Sequence, residues 1–522
     1  MSTARDRWDK MQSDRQEFLD RAIDASSLTI PSLIPESDYQ SSGATLGKPM
    51  LESLFQGVGA RGVSSLAAKL LLTLLPPTEP FFRFTLDEGK LNQYIQARGV
   101  QQPEDFRSRI ETQLSQMERQ VLQRLNRLRV RPAMFEALKH LVVGGNALIY
   151  LGDTSVRTYS LRSFAVERDP EGNPVELVIR EHVSEQFLPR PKTPMTEGGK
   201  GENPNTEVFT HVKWNYKKDL VEWYQEHEGQ QIRKSGGFST VATSPWMVLR
   251  LVRIAGESYG RGLVEEVIGD LSSLNELMRA VVEGNLQISK TIWLVNPNGM
   301  TRMDAIANAE NGDCVPGSEG DVVPLTAAGK SGDYASALQA ASVIERRLQY
   351  AFLMTETVQR DAERVTAEEI RVMAQQLDQG MGGYYSLLSD ELQLPMVKRL
   401  AFLMQRDGEL PALPEDLVEP QVTTGIDAIG RGNDKMRLQS FLATVAGNLG
   451  PEALLQYINP EELIRRFAAA DGIDAAGLVK TAEQLQAEMA QARQASLAEQ
   501  VASGALSNGV QANAPQGAPP QA

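Results

Sequence analysis

LVEEVIGDLSSLNELMRAVVEGNL, Leu263–Leu286, decides the architecture. Its apolar residues Val264, Val267, Ile268, Leu271, Leu274, Met278 and Val281 recur every three or four positions, with Glu265, Glu266, Asp270, Glu276 and Glu283 opposite them. That spacing predicts one amphipathic helix. About 25 residues at 1.5 Å each give roughly 37 Å, well beyond the usual three turns. So narrow an apolar stripe on so long a helix predicts packing against neighbours or copies rather than burial inside one core. A second helix, from near Asp333, places Leu338, Ala341, Ile344, Leu348 and Phe352 on one face. Between the two, Ile292–Gly329 is rich in Gly, Pro, Asn and Asp and holds the short β-like pieces TIWLV and CVPG. It reads as a small α/β tip held between two long helices.

Past the second helix comes VQRDAERVTAEEIR, Val358–Arg371. Thr366 and Glu369 have capping-box spacing, so a helix is expected to begin at Thr366. The preceding loop of about a dozen residues is dense in charge and nearly without apolar anchors, so it must face water or a polyanion. Its Arg360 and Arg364 have Glu356, Asp361 and Glu363 as neighbours, and exposed salt bridging is the commoner fate of such arginines.

The remainder divides by pattern. Helices are expected at Arg5–Ser26, at Leu51–Leu75 closed by Pro76 and Pro77, at Pro103–Leu128 and at Phe135–Val143 before Gly144 and Gly145. From Ala147 to Ile254 short strands take over, with one hairpin at Asp169–Asn173 and another joining Val208–Tyr216 to Leu220–Tyr224. Residues 190–206 read as an exposed loop. Thr366–Asp378 and Tyr384–Arg406 are expected to be helical, with Gly380–Gly383 between them and a kink at Pro395. Residues 433–495 read as all-helical, and the tail beyond Val501 as disordered. The fold class is therefore α+β and predominantly helical.

Composition excludes several functions. One cysteine, Cys314, rules out a disulfide framework or a cysteine metal cluster. The four histidines, His140, His182, His211 and His227, form no pair at metal-ligand spacing, so neither a metal nor another cofactor is expected. The N-terminus lacks a signal-peptide core and no run of 18 apolar residues occurs, which predicts neither secretion nor a membrane span. A net charge of −14 argues against a tight grip on DNA and suits a surface along which DNA slides. Gly256-Glu-Ser258-Tyr-Gly260 matches the nucleophile elbow, but every histidine precedes Ser258, so a serine hydrolase would lack its base. A Gly-flanked turn that starts a helix is the plainer reading. Gly43–Pro49 lacks the spacing and the hydroxyl residue of a phosphate loop.

Six longer stretches carry a resemblance: GVGARGVSSLAAKLLLTLLPP, MFEALKHLVVGGNALIYL, SYGRGLVEEVIGDLSSL, VQRDAERVTAEEIR, LLSDELQLPMVKRL and TTGIDAIGRGND. Together, and in this order from about Arg5 to Leu478, the chain resembles the head-to-tail connector, or portal, family of short-tailed bacteriophages of the autographivirus type. The resemblance implies a homo-oligomeric ring, a dodecamer, at one capsid vertex of the virion, made in the host bacterial cytoplasm. Double-stranded DNA would pass through its channel during packaging and ejection. It also implies partners: a terminase motor, the major capsid and scaffolding proteins, and tail adaptor and internal core proteins, with no membrane and no catalysis of its own. In family terms residues 1–255 would be the wing, 256–289 and 332–352 the stem, and 290–331 the clip. Residues 353–365 would be the tunnel loop, 366–412 a long kinked helix returning to the wing, 413–500 a helical crown, and 501–522 a disordered tail. The resemblance assigns the loop residues Arg360, Arg364, Glu356, Asp361 and Glu363 to the DNA channel. The stem residues Val267, Leu271, Leu274 and Met278 would form subunit contacts. A scaffolding or tail-adaptor protein would share the long helices but would not need the β-containing block before them.

Overall fold

The computed structural model describes residues 3–36, 54–77, 81–85, 103–184, 205–289, 292–318, 320–325, 331–354, 384–410, 421–423 and 431–450, with a few isolated positions besides. The chain divides into two compact units, residues 1–106 with 116–428, and residues 107–115 with 429–522. In the second, the main described element is the helix Arg431–Leu449.

The first unit begins with α1 (Ala4–Ser27), set by a capping box in which Thr3 Oγ1 accepts from the Asp6 amide and Asp6 accepts from the Thr3 amide. A six-stranded sheet carries the order β4-β5-β6-β7-β8, with β9 also on β7. Its strands are β4 (Phe164–Arg168), β5 (Pro174–Ser184), β6 (Asn205–Asn215), β7 (Leu220–His227), β8 (Gln230–Gln231) and β9 (Gly237–Ser239). Both hairpins read from sequence are present. β6 starts at Asn205, so the last two residues of the expected loop at 190–206 are already strand. Strand alternation buries both faces of the sheet. Ala165, Val178 and Phe209 meet Trp8 and Met11 of α1. Phe164, Leu177, Ile179 and Val212 pack on the other face with Leu148, Trp246 and Val248. The last three come from a three-stranded sheet of β10 (Trp246–Arg250), β2 (Asn146–Leu151) and β3 (Val156–Tyr159), in that order.

Three helices depart by more than two residues, or by a break, from the expected bounds. α2 runs from Val58 to Leu74, with no side-chain cap at Gly57. α3 (Pro103–Arg127) is followed through a left-handed Arg129 by α4, which spans Val130–Gly144. Pro132 does not delay α4, because in a first helical turn its missing N–H has no intrahelical partner to lose. The long helix is broken at Val267 into α5 (Leu263–Glu266) and α6 (Ile268–Ser289). Two β-branched residues followed by Gly269 make this the weakest helical stretch of the motif. After the tip strands β11 (Ile292–Val295) and β12 (Val322–Leu325), which flank α7 (Met303–Ala307), α8 (Ser331–Ala351) returns alongside α6.

Tyr384–Leu388 (α9) continues through a π-helical turn, Ser389–Gln393, into α10 (Leu394–Arg406). The irregularity expected at Pro395 is this wider turn: proline lacks an N–H and crowds the carbonyl four residues back, and a π turn relieves both. Gln421–Thr423, within the span expected to be helical crown, is instead β13, paired with β1 (Arg83–Thr85). The capping box at Thr366, the loop 355–365, Gly43–Pro49 and the tail 501–522 lie outside the described residues.

Candidate functional site

The paired helices α6 and α8 stand on a base built from glycines. Asn146 Nδ2 donates to the Gly144 and Gly260 carbonyls at 2.9 and 2.7 Å, and its Oδ1 accepts from the Gly260 amide at 2.7 Å. Gly145 has φ 71°, and the backbone at Arg261 and Gly262 leaves no room for a Cβ on it. Gly262 is as closely backed by the Val143 carbonyl. The GGN turn after α4 and the SYGRG turn before α5 are thus locked face to face. Tyr259 is buried and its hydroxyl accepts from the Val166 amide at 3.0 Å, while the Ser258 carbonyl accepts from Arg168 Nε at 3.0 Å. The elbow-like motif is a packed turn that launches a helix.

α2 lies against both long helices. A Cβ on Gly59 would meet Leu271 Cδ2 at 3.2 Å, and one on Gly62 would meet the Phe352 ring at 2.5 Å. Asn275 Oδ1 accepts from the Phe55 amide at 3.0 Å, and Arg347 pairs with Asp270 at 3.0 Å between α8 and α6. The Lys69 ammonium, buried and pulled below its ordinary pKa by that burial, donates to the carbonyl of Leu353. Leu353 itself is left-handed, with φ 51°, and marks the start of the expected channel loop.

The residues expected at a subunit contact lie on α6 and at the break before it. Leu271 and Leu274 are buried inside a single chain, in a seam with Ala341, Leu348 and Phe352, and Val267 and Met278 are half-buried. The next long helix of the same chain runs alongside this stripe, for which the sequence had left neighbours or copies as partners. Arg360, Arg364, Glu356, Asp361 and Glu363 lie outside the described residues. At the tip, Asp321 Oδ2 accepts from the Met300 amide at 3.0 Å, the Thr301 amide at 3.3 Å and the Thr301 hydroxyl at 3.0 Å, closing the loop between β11 and β12.

These elements are tied to the body by charge. Glu391, in the π turn, accepts from Arg250 Nη2 at 2.6 Å and from the Arg250 amide at 2.9 Å, and lies 4.0 Å from Arg168 Nη1. Both guanidiniums also donate to the Gly172 carbonyl. Burial pushes Arg168 down to about 10 despite Glu391. On the opposite side of the π turn, Gln393 Nε2 donates to the Leu74 carbonyl at 2.7 Å.

With this geometry in view, comparison with known proteins is decisive. The family model for the bacteriophage head to tail connecting protein matches residues 1–479. The chain belongs to the bacteriophage head-to-tail connector family. The portal protein of Escherichia phage T7 is 37% identical over 493 residues, covering 92% of this chain and 89% of that protein. That of Enterobacteria phage T3 is 37% identical over 491 residues with the same coverage, and that of Pseudomonas phage phiKMV 31% over 498 residues, covering 93% of each. A solved chain from the neck of an empty GTA particle superposes with a TM-score of 0.38 at 12% identity, covering 80% of this chain and 90% of that one. The function is accordingly that of a phage portal, or head-to-tail connector. Sequence reading missed Asn146, Lys69, Arg250 and Glu391 in this connector. Asn146 alone had a signal, a polar residue straight after two glycines and before an apolar strand.

Proposed function

We propose that copies of this connector assemble into a closed ring of twelve at the capsid vertex of the virion, with double-stranded DNA passing along the axis. The observation that carries this reading is the α6–α8 pair, rooted in the body by the Asn146 lock and bearing a hairpin tip at its far end. In this reading α6 and α8 are the stem and residues 290–331 the clip, which docks the terminase motor during packaging and the tail afterwards. The major capsid, scaffolding and internal core proteins are the remaining partners. The acidic balance of the chain keeps DNA from adhering along the channel. Arg360 and Arg364, just past the Leu353 carbonyl that Lys69 holds, are repeated around the ring and retain the genome by transient phosphate contacts.

Negative-stain microscopy and sedimentation of the purified protein test the assembly: rings with an axial hole are expected, and a monomer at micromolar concentration defeats the reading. For the loop, replacing both Arg360 and Arg364 by Ala is expected to spare rings and reduce nuclease-protected DNA in assembled heads. Equal protection at matched salt would return both to ordinary exposed arginines.

A further inference from the structure

The two long helices form a strip with two unlike edges. At about 100° per residue, Val343, Arg346 and Tyr350 lie roughly opposite the seam residues Ala341, Leu348 and Phe352 on α8. Tyr350 is 86% exposed and Val343 55%. Arg346 is exposed and has no ion pair among the described residues, whereas the adjacent Arg347 is held by Asp270. This edge is bulky, apolar and positive. By the same rotation, Gly269, Ser273, Glu276, Ala280 and Glu283 lie opposite the seam on α6, and all five are exposed. Gly269, Ser273 and Ala280 make that edge flat. It is also acidic: Glu283 is held by Arg279 of its own helix at 2.9 Å, and Glu276, whose charge also reaches Arg279, is in no ion pair among the described residues.

We propose that the α8 edge of one copy of the chain docks on the α6 edge of the next, with Arg346 of one copy paired to Glu276 of its neighbour. The proposal deepens the ring reading above and rests on it. A second copy is the occupant because the two edges complement each other in both shape and charge. Two copies related by a twofold axis would instead set Arg346 against Arg346 and Glu276 against Glu276. Unlike edges repel that arrangement and favour head-to-tail contacts, and these form a ring when the rotation closes. The register also fits. The Arg347–Asp270 pair sets Arg346 level with Leu271 of its own strip. In a neighbouring strip at the same height, Glu276 is five residues along, about 7.5 Å, which extended arginine and glutamate side chains bridge together.

Charge reversal tests this on the full-length protein by sedimentation velocity at fixed concentration and salt. Arg346→Glu alone and Glu276→Arg alone are each expected to reduce the ring fraction at least tenfold. The double variant is expected to restore it, and far-UV circular dichroism should be unchanged in all three because both positions are exposed. Wild-type rings that persist in both single variants overturn this contact and leave the ring reading intact. Single variants that dissociate with no recovery in the double overturn the pairing. An α8 edge that faces DNA gives the first pattern, with altered DNA retention and unaltered rings. A wild-type protein that forms no ring removes the ring reading and this contact with it.

Discussion

Replacing Glu391 by Ala should loosen the join between the π turn and the body more than any other single change at that join. The side chains of Arg250 and Arg168 are 2% and 3% exposed, so neither guanidinium gains solvent when the carboxylate leaves. Two like charges would remain around the Gly172 carbonyl, and the Arg250 amide would lose its acceptor at 2.9 Å. Breaking one partner of a buried ion pair costs about 3–5 kcal/mol. At about 1.4 kcal/mol per factor of ten, local opening becomes roughly 150- to 4,000-fold more frequent. Hydrogen–deuterium exchange reads this directly at the amides of β10 and α10 in the assembled protein at fixed concentration. Glu391→Gln keeps an acceptor for the Arg250 amide and loses only the charge, so its exchange should fall between wild type and Glu391→Ala. Exchange in Glu391→Ala within about threefold of wild type would refute the reasoning, since the charge would then be compensated by something other than Glu391.

Three further outcomes follow from the same structure. Burial pushes the Glu176 carboxyl up, but hydrogen bonds from His211 and Arg7 outweigh it and hold the group at about 2. The stability this contributes is therefore present above the ordinary carboxylate pKa and lost as pH falls from about 4.5 towards 2, so the difference in denaturation midpoint between wild type and Glu176→Gln should shrink across that window. His140 is the reverse case: burial alone lowers it to about 4, and its Nδ1 has no hydrogen-bond partner among the described residues. The unfolded chain takes up a proton there that the folded chain refuses, so wild type should lose stability between about pH 6.5 and 4 while His140→Leu loses less, as thermal melts at stepped pH will show. Gly62→Ala places a methyl against the Phe352 ring, and the expected loss is about 1–3 kcal/mol by chemical denaturation, with no loss if α2 simply moves away.

The elements with strong periodicity were legible: α1, α3, the two hairpins, the paired long helices and the tip between them all follow from apolar spacing and turn residues. What sequence could not supply was the third dimension of the stripe. Leu271 and Leu274 are apolar in helical register whether their partner is a second subunit or the next helix of the same chain, and periodicity holds no term that separates the two. Both are buried within the single chain, with α2 thinned by Gly59 and Gly62 to reach Leu271 and Phe352. Arg250 and Glu391 were illegible for a related reason. They are 141 residues apart, and a charged residue in a local window reads as solvated face until its partner is known.

The same limit explains where the charge signal did survive. On α6 and α8 the glutamates and Arg346 occupy positions opposite the apolar stripe, so once the seam is known to lie within the chain, the polar faces become the surfaces left for other molecules. A face meant only for water needs no particular shape. Here one edge is reduced to glycine, serine and alanine around a glutamate in no ion pair among the described residues, and the other sets a tyrosine and a valine beside an arginine likewise in none among them. Tyr350 and Val343, 86% and 55% exposed on one face, make a small apolar patch of the kind a partner covers. In the proposed ring the cover is the flat acidic edge of the next copy, and the asymmetry that makes the edges fit disfavours a twofold dimer. In that proposal the polar residues of α6 and α8 direct the contact between copies, and the apolar ones hold the two helices together.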